Sequence, residues 1–95
     1  MATDDLFLTV HPESARQGVA VEKQKHALVR ESILRNLRMH GPMTFSQLGV
    51  AVEAELQGAF SGSVLWYCTA VKLDLEARGE IRRIPNSRPQ MIEIA

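Results

Sequence analysis

Ser63-Val64-Leu65-Trp66-Tyr67-Cys68-Thr69-Ala70-Val71-Lys72-Leu73-Asp74-Leu75-Glu76-Ala77-Arg78-Gly79-Glu80-Ile81 is the stretch on which the fold turns. Ser61 or Ser63 can cap a helix, and the helix runs to about Arg78, where Gly79 stops it. At about 100° per residue, Val64, Tyr67, Cys68, Val71 and Leu75 share one face, the side expected in the core. Ile81 to Ile84 and Met91 to Ile94 are β-prone runs around a turn-rich loop, Pro85 to Gln90. The pattern predicts a helix passing straight into a hairpin.

Working upstream, Thr44 and Gln47 have the spacing of a capping box, and Phe45, Leu48, Val52 and Leu56 give a second helix its buried face. Before it, Val29, Ile33 and Leu37 recur at intervals of four, with Leu34 widening the stripe, from about Glu22 to the stop at His40-Gly41-Pro42. Residues 1–20 read as an irregular arm, with a turn at His11-Pro12 and a short strand or extended segment over Leu6 to Val10. Residues 21–95 then form one α+β domain, mainly α: three helices followed by a two-stranded hairpin, the order of a winged helix-turn-helix.

Trp66 to Ile81 resembles the third helix of a family of short bacterial winged-helix proteins of unknown function, in which a tryptophan and an aromatic residue precede Leu-Asp-Leu-Glu-Ala, a basic residue and glycine. The chain is also similar to that family from His11-Pro12 through Ile33-Leu34, so the likeness covers roughly residues 10–84. It implies the winged-helix fold and carries over no functional residue.

Bulk composition narrows the function classes. Eleven basic and eleven acidic residues cancel, so no global field draws the chain to nucleic acid or an anionic membrane. The acidic opening Met1 to Asp5 is unlike a signal peptide, and no stretch approaches the roughly 20 apolar residues of a membrane span. The single Cys68 excludes an intrachain disulfide and fits a reducing compartment, so the expected location is the cytoplasm. His11, His26 and His40 lie far apart without metal-ligand spacing, and Glu53 and Glu55, two apart on a helix, point to different sides. No cofactor, metal or catalytic group is expected, and the chain reads as a binding module.

Two surfaces are candidates. Arg82, Arg83 and Arg88 cluster around the hairpin loop and suit phosphate, with Lys72 and Ser63 as further candidates, because a guanidinium makes two parallel bonds to an oxyanion. Trp66, Ala70, Leu73 and Ala77 form a second apolar stripe on the third helix, with Asp74 and Glu76 expected to flank it. A helix that reads bases needs polar and basic side chains there. Three accounts of the stripe stand open: the arm (Leu6, Phe7, Leu8, Val10) folds over it, a protein partner or second copy covers it, or it meets DNA. Weak or dimer-dependent DNA binding through the hairpin, in a regulatory role, is the first functional expectation. A protein-interaction module that keeps the shape without DNA binding is the rival.

Overall fold

A computed structural model of the chain describes residues 6–8, 20–58 and 62–95. The architecture is mixed α+β: three helices against a small antiparallel sheet of three strands, with a separate two-stranded ladder ahead of the first helix.

That ladder joins β1 (Leu6–Leu8) to β2 (Ala20–Glu22) in antiparallel register, Phe7 opposite Val21. β2 runs directly into α1 (Lys23–His40). The four-residue repeat predicted for α1 is the buried one: Val29, Ile33, Leu34 and Leu37 all lie in the core. Gly41 ends the helix at φ +75°, a backbone geometry glycine adopts freely, and its N–H donates to the Leu37 carbonyl at 2.9 Å.

Met43–Thr44 form β3, which leads into α2 (Phe45–Leu56). The capping box is complete: Gln47 N–H donates to Thr44 Oγ1 at 3.0 Å and Thr44 N–H donates to Gln47 Oε1 at 3.1 Å. α3 (Val64–Ala77) is capped by Ser63, whose Oγ accepts from the Trp66 N–H at 3.1 Å. The alternative cap, Ser61, and the Ala59-Phe60 part of the preceding link lie outside the described residues. α3 ends in a Schellman motif, with Gly79 at φ +78°, Glu80 N–H on the Leu75 carbonyl and Gly79 N–H on the Glu76 carbonyl.

β4 (Ile81–Arg83) and β5 (Met91–Ile94) pair antiparallel, Arg82 opposite Glu93. The sheet differs from the predicted two-stranded hairpin because β3 adds to the free edge of β5, Met43 opposite Ile92. Two residues are too few to show alternation in sequence. Their pairing satisfies backbone groups that an open edge would leave unpaired, and it buries Met43. Leu48, Val52, Val71, Leu75, Ile81 and Ile92 meet α1 in a single core. Each such side chain contributes about 1.5–3 kcal/mol on burial. Among the described residues, no helix is long and apolar enough to cross a membrane.

Candidate binding surface

The basic candidates are brought into ion pairs rather than presented together. Arg82 and Arg83 are neighbours on β4 and therefore point to opposite faces of the sheet. Arg82 Nε donates across the ladder to Glu93 Oε2 at 2.6 Å, and Arg83 Nε donates to Glu76 Oε1 at 2.9 Å. Lys72, one turn before Glu76, has its ammonium on the same carboxylate and over the Phe45 ring, with a side chain only 11% exposed. Ser63 is occupied as the α3 cap. Arg88, on the loop, is exposed and has no ion pair among the described residues.

Asp74 and Glu76 do not flank an outer face as expected. Asp74 is fully buried, three residues after Val71 and therefore on the core edge of α3, where it meets His26 of α1. His26 Nε2 lies 2.9 Å from Asp74 Oδ2, and Arg78 Nε donates to Asp74 Oδ1 at 2.8 Å. Glu76, nearly buried, is turned toward Lys72 and Arg83. The outer side of α3 is therefore neutral rather than flanked by acidic side chains. Helical phase carried the signal, because Asp74 follows Val71 by three and precedes Arg78 by four.

The buried Cys68 is not set up as a nucleophile. Burial pushes the Cys68 thiol up to about 12, with Lys72 opposing weakly, so at neutral pH it stays protonated. Among the described residues, no group of three His, Cys, Asp or Glu side chains could hold a metal ion.

The apolar stripe on α3 is unevenly covered. Trp66 is 49% exposed, its ring edge-on to Tyr67 at 5.1 Å between centroids, while Ala70, Leu73 and Ala77 are half-buried. Whether the arm covers the stripe depends on the side chains of Leu6 to Leu8 and on Val10, which lie outside the described residues.

A further apolar surface was not anticipated. Phe45, Gly49 and Val50 of α2 and Leu65 of α3 line an open depression of about 310 Å³, with Ser46 and Glu53 on its wall. Val50 is 68% exposed and Leu65 is 48% exposed. Gly49 makes the groove possible: a Cβ there would stand 3.2 Å from Leu65 Cδ1, so the glycine lets Leu65 lie against α2. Helical glycine costs about 1 kcal/mol relative to alanine, which a close helix contact offsets. In sequence the hint was two apolar residues out of phase with their own buried stripes.

A family described as a family of unknown function (DUF6958) matches residues 7–92. The chain belongs to that family. No curated protein and no solved structure matches it. The span shared with the family takes in α1, α2 and α3 entire, and with them Val50, Glu53, Leu65 and Trp66.

Proposed function

We propose that this chain is a winged-helix module that binds another protein through the α2–α3 side of the domain. The order α1, β3, α2, α3, β4, β5, with β3 zipped onto the hairpin, supports the winged-helix assignment. The observation that carries the functional reading is the chemistry of α3 where a duplex reader would meet base edges. It presents Leu65, Trp66 and Thr69, without arginine, asparagine or glutamine anywhere in the helix, and its single lysine is held by Glu76. Exposed aromatic and aliphatic side chains grouped on one side suit a protein contact, where a half-exposed tryptophan is a common anchor.

A second reading, weak DNA binding through the hairpin in a regulatory role, draws on Arg88 and on the solvent exposure of Arg82 and Arg83. Exposed pairs contribute only about 0–1 kcal/mol and can be exchanged for phosphate. Fluorescence anisotropy of a labelled mixed-sequence duplex separates the two. We expect no binding at low salt, where attraction is strongest. Binding that weakens with salt and is lost in the double variant Arg82→Ala, Arg83→Ala overturns the protein-binding reading.

A further inference from the structure

We propose that the α2–α3 groove recognises a short segment of another protein that sets a large apolar side chain beside a lysine or arginine, with Glu53 receiving the cation. This rests on the reading of the chain as a protein-binding module and names the partner's chemistry.

Two observations on the groove point the same way. Among the described residues, Glu53 is the one side-chain carboxylate outside an ion pair. Glu22 is held by Lys25, Glu31 by Arg38 and Glu55 by Arg35. Asp74 is held by Arg78, Glu76 by Lys72 and Arg83, Glu80 by Arg30 and Glu93 by Arg82. Glu53 also stands beside exposed hydrocarbon. With Val50, it lines both the depression beside Phe45, Gly49 and Leu65 and an adjoining one toward Gly62 and Ser63. An open groove of this kind takes side chains of a partner more readily than it encloses a small ligand. An apolar side chain over Val50 and Leu65 displaces water around Glu53, which strengthens an attraction to a neighbouring cation.

A second copy of this chain fits less well. α2 contains no basic residue and the lysine of α3 is engaged, so a symmetric contact through this face brings Glu53 no cation.

The test is selection of a displayed random-peptide library against the full-length chain, followed by anisotropy with individual enriched peptides. We expect enriched peptides to pair lysine or arginine with a large apolar residue. Their affinity should fall about tenfold on Glu53→Lys and on Val50→Asp, and exchanging the peptide's basic residue for glutamate should restore binding to Glu53→Lys. Both variants alter exposed side chains without ion pairs, so circular dichroism should match the parent chain. Enriched peptides that bind both variants unchanged overturn the groove assignment while leaving the protein-binding reading in place. Failure to enrich any peptide overturns both. A dimer in sedimentation velocity that Val50→Asp dissociates gives the face to a second copy and overturns the proposal.

Discussion

The two contacts that α3 makes with the other helices share one apolar core and differ at their margins. Against α1 it buries charge: Asp74, inaccessible to solvent, is held between His26 and Arg78. Toward α2 it leaves hydrocarbon in the open, at Leu65 and at Val50 across the groove. A buried ionic cluster is worth little relative to an apolar replacement, yet it is costly to break, because each member depends on the others for hydrogen bonds. An exposed apolar groove is the reverse, contributing little to folding and available for association. The lesson is that this domain pairs its charges with one another, to orient helices and close the sheet onto α3, and leaves exposed hydrocarbon with the unpaired Glu53 on its outward α2–α3 surface.

The buried contact is the more costly of the two to disturb. Asp74→Ala removes the acceptor that serves His26 and Arg78 and leaves the imidazole without it at a buried site. The expected loss is about 3–5 kcal/mol, a large part of the roughly 5–15 kcal/mol typical of a domain. Urea unfolding monitored by far-ultraviolet circular dichroism measures it. A loss below about 1 kcal/mol would mean that solvent reaches this cluster and that the contrast between the two contacts is false.

Glu76→Gln probes the join between α3 and the sheet. The amide keeps the shape but loses the charge that holds Lys72 and Arg83. We expect destabilisation of about 1–3 kcal/mol, because the carboxylate and Lys72 are both largely removed from water. The same substitution frees two cations near the hairpin, which sharpens the functional question. If duplex binding appears in this variant and is absent from the parent chain, the pairing with Glu76 is what withholds the hairpin from DNA.

What could be read in advance divides along the same line. The three helices, the capping box of α2, a serine cap for α3 and the core stripe were legible because each depends on local spacing: Thr44 with Gln47, Ser61 or Ser63 before Val64, and Val29, Ile33 and Leu37 at intervals of four. β3 was not, since a two-residue strand exists only by virtue of β5 beside it. The ion pairs were not legible either. Arg83 and Glu76 are seven residues apart in different elements, and His26 and Asp74 are forty-eight apart. A list of basic residues therefore suggested a phosphate surface that the fold largely neutralises. The groove was half legible, in the out-of-phase Val50 and Leu65, but only packing at Gly49 places the two side by side.

A smaller effect is expected where α1 meets α2 through Ser32 and Glu55. The buried Ser32 hydroxyl donates to the Glu55 carboxylate, with Arg35 on the same oxygen at 3.0 Å. That hydrogen bond, with help from Arg35 and against some desolvation, holds Glu55 below its ordinary value of 4.5. A carboxylate lowered in this way stabilises the fold above its unfolded pKa, and the contribution disappears as pH falls through its folded value. Ser32→Ala should cost about 0.5–1 kcal/mol near neutrality, toward the low end because Glu55 is partly solvated. Urea midpoints of the parent and variant should converge as pH falls through the acid range below 4.5. A gap that stays constant with pH would assign the loss to packing around Ser32 instead.

The smallest effect is expected where charge is added to the apolar side. Val50→Asp inserts a carboxylate in mid-α2 at a side chain 68% open to solvent. The residue's lower helix propensity costs a few tenths of a kcal/mol, and the hydrocarbon it removes was hardly buried, so stability should stay within about 0.5 kcal/mol of the parent chain. Adding a charge here and deleting one at Asp74 are then opposite edits with unequal consequences. Should Val50→Asp destabilise the chain by 2 kcal/mol or more on an order-of-magnitude scale, Val50 is a core residue in solution and the groove is not an open surface. If stability holds, any change in binding on this substitution is an effect on recognition rather than on folding, and the α2–α3 surface can be dissected without the fold confounding the result.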